Sequence, residues 1–289
     1  MNGARPARDI DRPQPRRIWL CADDYGISSS VNTAIRDLVV RGHLNATSVL
    51  VVAPSFHRSE AIALAALNAT APRVAIGLHL GFTAPFRPLS KRFQPVSDGA
   101  FLPLAATFRH ALTHRFAGAA LTTEIQSQIE AFVQAFGRVP DFVDGHLHVH
   151  LLPQISDAVL TVVKDAAPNA WVRQCGRAVP LAARFADPKG LLLDGFSHRF
   201  RRRARVLGVR TNPAFAGTYR FDDAADIATM FPRFLDRLPD GGVVMCHPGF
   251  VDAELERLDP VTTLREKEYA FFAAATFPAL LARHGVALA

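Results

Sequence analysis

Arg17-Ile18-Trp19-Leu20-Cys21-Ala22-Asp23-Asp24 is a short apolar run that ends in two adjacent carboxylates. A run of this length with no polar alternation reads as a buried strand. The same device recurs along the chain. His79 follows Val74-Ala75-Ile76-Gly77-Leu78, Arg173 follows Ala170-Trp171-Val172, and His247 follows Val243-Val244-Met245-Cys246. A further hydrophobic run closes in Asp144-Gly145-His146-Leu147-His148-Val149-His150. Polar groups at the C-terminal ends of five predicted strands are the layout of a parallel α/β sheet or barrel, whose loops at that end build the active site.

Helical patterns fill the intervals. Residues 28 to 41 begin with serines suited to an N-cap, carry Val31, Ile35, Leu38 and Val39 at helical spacing, and meet Gly42. A second predicted helix runs from about Leu121 to Phe136, capped by Thr122 or Thr123 and ended by Gly137. A last one spans roughly Thr262 to His284, where Pro278 should kink or interrupt it. Further strands are expected at Thr47 to Val52, Val209 to Asn212 and Gly285 to Leu288. This βα rhythm predicts a parallel sheet with helices packed outside. Between about residues 81 and 120 periodicity fades, and such a long irregular insertion directly after His79 is expected beside the site. Its Phe82, Phe86, Phe93 and Phe101 supply either a sugar-stacking surface or a small local core.

Composition bounds the rest. With 289 residues, 49% of them hydrophobic, the chain can bury one large core, so a single domain over 16–289 is expected behind a disordered tail, 1–15. No apolar run approaches the ~20 residues that span a bilayer, and Met1 to Arg17 lacks a signal core, which predicts a cytoplasmic protein. Three scattered cysteines make no disulfide framework; Cys21 and Cys246, next to site groups, read as buried packing residues. The net charge is +7, and His198-Arg199-Phe200-Arg201-Arg202-Arg203-Ala204-Arg205 is a dense basic block. It reads as a contact for phosphates or lipid headgroups, or as a solvated helix face. No nucleic-acid motif accompanies it, and no nucleic-acid partner is expected.

Residues two apart in an extended segment share a face, so His146, His148 and His150 would point one way if the strand continued through them. Imidazole is a common zinc ligand, and an exposed histidine-rich turn is the alternative. A catalytic site of that type uses three protein ligands and keeps one position open for water. Asp24, His79 and one of the three imidazoles meet that count. The bound ion would lower its water's pKa toward ~7 and polarise a carbonyl. Asp23 then stands as general base, His247 as the acid that protonates a leaving nitrogen, and Arg173 as a group that orients Asp23 or contacts the acyl group.

Taken together, Ala22-Asp23-Asp24-Tyr25-Gly26, Gly77-Leu78-His79-Leu80, the Asp144–His150 run and Cys246-His247-Pro248-Gly249 resemble, in order, the motifs of the YdjC-like carbohydrate deacetylases, which include a hopanoid-associated branch. Tyr25 stands where phenylalanine is commoner in that family. The resemblance implies a distorted (β/α) TIM-like barrel, polysaccharide-deacetylase-like, with one divalent ion held by Asp24, His79 and His146. Zinc or magnesium leads, with cobalt, nickel or manganese as alternatives. It implies hydrolysis of the N-acetyl group of an amino sugar, with Asp23 as base and His247 as acid. His146 is the family-like choice, leaving Asp144, His148, His150 and Tyr25 either as substrate contacts or as supports behind the ligands, with Asp144 a candidate to orient an imidazole. The substrate it implies is an N-acetylglucosamine oligosaccharide or an N-acetylglucosaminyl hopanoid lipid. The insertion and the arginine block tilt this toward a lipid met by peripheral contact at the inner membrane, and the apolar last helix suggests a homodimer. The rival readings are another metal-dependent amidohydrolase or phosphoesterase, a non-haem iron oxygenase, and a basic lipid- or nucleic-acid-binding protein with a structural metal.

Overall fold

Strand β1 (Arg16–Tyr25) is buried from Leu20 through Tyr25 because it lies inside the sheet, paired with a strand on each side. The structure, a computed structural model, describes residues 14–71, 73–178, 187–221 and 224–289; nearly all of the expected tail lies outside them. The other strands are β2 (Ala46–Val49), β3 (Ala75–Leu80), β4 (Phe142–Gly145), β5 (Trp171–Val172), β6 (Phe215–Ala216), β7 (Val243–Cys246) and β8 (Val286–Leu288). Their order is β5-β4-β3-β2-β1-β7-β6, with β8 along the start of β1, and every pairing is parallel. The helices among the described residues are α1 (Ser29–Val40), α2 (Arg58–Ala66), α3 (Leu104–Leu112), α4 (Gly118–Phe136), α5 (Ile155–Ala166), α6 (Pro188–Leu207), α7 (Ile227–Leu235), α8 (Ala253–Leu258), α9 (Thr263–Ala273) and α10 (Phe277–Arg283).

The sheet curls until its edges meet. β5 lies four places from β1, yet Arg173, directly after β5, bonds Asp23 in β1 at 2.7 Å. Among the described residues, single bridges join the two edges, Val172 to Thr211 and Arg177 to Phe215. The result is the distorted α/β barrel expected from the sequence, closed on one side by irregular chain. That irregularity replaces the strand predicted at Val209 to Asn212. The side chain of Asn212 takes the backbone bonds a ladder would use, accepting from the Gln174 N–H and donating to the Gln174 and Ala214 carbonyls, and Pro213 has no N–H to offer.

The helix ends follow their chemistry. Ser28 caps α1, its Oγ accepting from the Val31 N–H at 3.3 Å. α4 begins at Gly118, earlier than expected, so Thr123 is not a cap; its hydroxyl donates to the Ala119 carbonyl inside the helix. The last helix is two, α9 and α10, with Pro278 in the first turn of the second, where a missing N–H costs nothing.

The insertion resolves in favour of a local core. Phe82, Phe86, Phe93 and Phe101 are all buried, and the rings of Phe82, Phe93 and Phe101 lie 5.1 to 5.8 Å apart. α4 anchors this segment from beneath: Gln128 bonds both backbone groups of Gly81, and the Glu124 carboxylate accepts from the Leu89 and Ser90 N–H groups. Phe86 packs edge-on against His146 at 5.6 Å, which puts the insertion beside the site.

No described helix is long and apolar enough to cross a membrane. Close packing makes one glycine a sharp test. A Cβ on Gly77 in β3 would stand 2.4 Å from the Phe142 ring, whereas one on Gly118 meets nothing. Gly77→Ala should lower stability in chemical denaturation by about 1–3 kcal/mol, and Gly118→Ala should leave the unfolding free energy within about 0.5 kcal/mol of the parent.

Candidate active site

The C-terminal ends of β1, β3, β4, β5 and β7 converge. Parallel register sets Ala22 beside Cys246 and His79 beside Asp144, so the residues that follow these positions share one end of the barrel. Asp23 and Asp24 should point to opposite faces of a regular strand. Asp24 instead takes a positive φ of 68°, at a register irregularity between β1 and β2. This turn lets two consecutive carboxylates serve the same site.

Asp24, His79 and His146 each offer one ligand atom, and these atoms lie within 4.8 Å of one another. Asp24 Oδ1 is 2.9 Å from His146 Nδ1 and 3.3 Å from His79 Nε2. Asp24 Oδ2 is taken by Arg265, at 2.6 Å. His79 Nδ1 donates to Asp144 Oδ1 at 2.6 Å, which fixes the ring with Nε2 turned toward Asp24. A carboxylate behind a histidine in this way orients the ring and strengthens it as a ligand. Donor types, spacing and this backing fit a divalent ion.

A second group of potential ligands, Cys21, Asp23 and Asp144, is filled by the Arg173 guanidinium. Arg173 bonds both oxygens of Asp23 at 2.7 Å, approaches Asp144 Oδ2 at 2.5 Å and donates to Cys21 Sγ at 3.0 Å, all in full burial. Burial alone favours a protonated Asp23, but the charges of Arg173, His79 and His247 hold the carboxyl well below the usual range. Asp24 is likewise held low against its burial by His146 and Arg265. Burial works against a charged His79, yet Asp144, Asp24 and Asp23 raise it to about 10. Asp23 and Asp24 are therefore both held in the charged form, each against a buried arginine.

His247 follows β7, and its backbone N–H donates to Glu268 on α9. Tyr219 donates its hydroxyl to the other oxygen of the same carboxylate, whose own pKa is raised by burial. Among the described residues the His247 Nδ1 is buried without a hydrogen-bond partner, and the ring packs perpendicular to Phe221 at 5.2 Å.

Of the residues singled out in the sequence, Asp23, Asp24, His79, Asp144, His146 and Arg173 meet in one cluster, and His247 lies within electrostatic reach of Asp23. The three histidines do not share a face. β4 stops at Gly145, and the chain turns through a 3₁₀ segment (His146–Leu151) in which Leu147 and His148 have φ of 53° and 57°. His146 thus faces Asp24, while His148 turns to Cys175 Sγ (3.5 Å) and the edge of Phe215. His150 is fully buried and donates from Nε2 to the Arg173 carbonyl at 2.8 Å, so it supports Arg173 and is closed to a substrate. Tyr25 also points away, its hydroxyl between Arg36 and Glu60. Cys21 and Cys246 are buried, and burial raises both thiols. Tyr219 and Ser48 were not assigned from sequence, and Arg265 and Glu268 fall in the Thr262 to Glu268 segment, which resembles the family but had no role read for it. Ser48 donates to Asp23 at 3.3 Å and lies 3.1 Å from His79 Nδ1, but a serine within an apolar strand carries no signal of that role.

The model of the YdjC-like proteins matches residues 17–283. The chain belongs to the YdjC-like family. As a YdjC-like protein it is 26% identical over 275 residues to a chitooligosaccharide deacetylase of Escherichia fergusonii, across 89% of this chain and 87% of that one. Its fold matches a solved structure from Enterococcus faecalis V583 named for cellobiose-phosphate cleavage, with a TM-score of 0.75 at 20% identity over 96% of this chain and 97% of that one. A looser overlap is with the Bc1960 peptidoglycan N-acetylglucosamine deacetylase, at a TM-score of 0.46 and 11% identity over 94% and 85% of the two chains.

Two measurements test this electrostatic arrangement. Arg173→Met leaves Asp23 and Asp144 buried without their cation, and should lose about 3–5 kcal/mol of stability in denaturant titration at neutral pH. His150 is pushed down to about 3 by burial, ahead of the charge of His148. Its neutral ring stabilises the fold fully above the unfolded value near 6.5, and that contribution is lost as pH falls toward 3. The stability gap between the parent and His150→Gln should therefore narrow steadily over that window.

Proposed function

We propose that the chain is a metal-dependent carbohydrate N-deacetylase, a hydrolase that releases acetate from an N-acetylated amino sugar. The observation that carries this reading is the Asp24, His79 and His146 cluster set against an arginine-held second carboxylate, Asp23, in a YdjC-like chain. The E. fergusonii relative, named as a chitooligosaccharide deacetylase, supports the same chemistry.

Asp24, His79 and His146 are the residues that would hold the ion. Two imidazoles and a carboxylate suit zinc first, with magnesium, cobalt, nickel and manganese as alternatives. A divalent ion supplies Lewis acidity toward the amide oxygen and acidifies water. The chain's own groups do the rest. Arg173 keeps Asp23 ionised and immobile, so Asp23 receives a proton from the attacking water as its oxygen bonds the acetyl carbon. His247 donates a proton to the departing amine as the carbon–nitrogen bond breaks, with Glu268 fixing its backbone and Phe221 bracing its ring. Acetate and the free amino sugar are the products. Ser48 and Asp144 hold Asp23 and His79 in register.

The substrate proposed is an N-acetylglucosamine-containing saccharide, free or lipid-linked as in an N-acetylglucosaminyl hopanoid. Acetate release should be assayed on chitooligosaccharides and on the glycolipid with metal-reconstituted protein. Asp23→Asn should reduce turnover at least about a hundredfold while leaving metal stoichiometry intact. His79→Ala should lose both, and a chelator should reproduce its effect on the parent protein. Stoichiometric metal without acetate from either substrate would refute the reading.

A further inference from the structure

The outer face of α6 is a feature that the deacetylase reading does not use. The helix packs inward through Ser197, Phe200 and Ala204, with the Phe200 ring edge-on to His150 at 5.9 Å. Outward it presents His198, Arg199, Arg201, Arg202, Arg203 and Arg205, all exposed. Among the described residues only Asp157 on α5 offers this block an ion pair, to Arg199 at 3.7 Å and Arg203 at 3.3 Å. Arg201, Arg202 and Arg205 have no acidic partner there.

A solvated helix face would explain the arginines but not the apolar residues among them. Leu191, Leu192 and Val206 are exposed at 37%, 50% and 72% on the same helix. At about 100° per residue, Leu191, Arg202, Val206 and Arg199 fall within an arc of roughly 80°, with Leu192 at its margin. Guanidinium groups and exposed aliphatic side chains therefore point outward together.

We propose that this face of α6 docks the protein onto an anionic lipid surface. The arginines pair with headgroup phosphates while their stems and Leu191, Leu192 and Val206 enter the boundary with the acyl chains. Charge complementarity is direct, since the chain carries +7 and the stretch from Arg201 to Arg205 holds three arginines with no acidic partner among the described residues. A nucleic acid would accept the arginines but has no use for the leucines, and among the described residues of α6 no Phe, Tyr or Trp stands exposed to stack a base. The proposal goes beyond the deacetylase reading and does not depend on it.

Co-sedimentation of the full chain with phosphatidylcholine vesicles, with and without phosphatidylglycerol, tests it. The protein should pellet only with the anionic vesicles and be released by salt. Arg201→Gln/Arg202→Gln/Arg205→Gln should lower the partition coefficient about a hundredfold, the effect of removing three surface cations. Leu191→Ser/Leu192→Ser should weaken it several-fold at unchanged charge, with circular dichroism showing both variants folded. Failure to pellet with anionic vesicles, or equal pelleting of the arginine variant, would overturn the proposal. So would unaltered vesicle binding by the leucine variant together with displacement of the protein by duplex DNA, which would mark a general polyanion site.

Discussion

The Arg173 guanidinium is the interaction on which the barrel and its site both depend. It is fully buried and reaches from the end of β5 to Asp23 on β1, Asp144 on β4 and Cys21 Sγ. Removing such charges from water costs several kcal/mol per ion, and that cost is offset only when cation and anions meet with good geometry. The sheet satisfies this by curling, because strands four places apart in a flat sheet would be too distant. Where the curl leaves a gap, single bridges and the side chain of Asn212 stand in for strand pairing.

A second buried arginine completes the electrostatic frame. Arg265 on α9 bonds Asp24 Oδ2 and Asp259 and leaves Asp24 Oδ1 toward His79 and His146. The two adjacent acids thereby acquire different roles from different partners. Asp23 meets Arg173 through both oxygens, whereas Asp24 gives one oxygen to Arg265 and keeps the other for the imidazoles. The helical layer outside the barrel reaches the site through Arg265 and Glu268, so α9 is part of the active-site wall and not only cover for the core.

Much of this was legible in the residues. Buried strands end in abrupt polar groups, and in parallel strands those ends share one rim, so Asp23, Asp24, His79, Asp144, Arg173 and His247 could be grouped before any fold was known. Helix ends at Ser28, Gly137 and Pro278 were legible for a similar local reason. Less legible were groups whose partner lies far along the chain. Arg265 and Glu268 lie in a segment that resembles the family, but on a helix of mixed polarity an exposed charge is the ordinary expectation, and only their burial against Asp24 and His247 gives them a role. The four phenylalanines of the insertion gave no sign of which way they faced, since their ring contacts are with one another, with Phe116 and with His146.

By itself the sequence determined the parallel α/β class, the family and the identities of the acids, histidines and arginine that meet at one rim. Periodicity and strand-end chemistry are local properties, and the chain carries them wherever it folds. Only the tertiary structure decided which histidine joins Asp24. Alternation would have aligned His146, His148 and His150, but the strand ends at Gly145 and two left-handed residues turn the three rings apart. Whether a strand continues is settled by neighbours able to pair with it, and β4 loses its partner on β3 at Leu80.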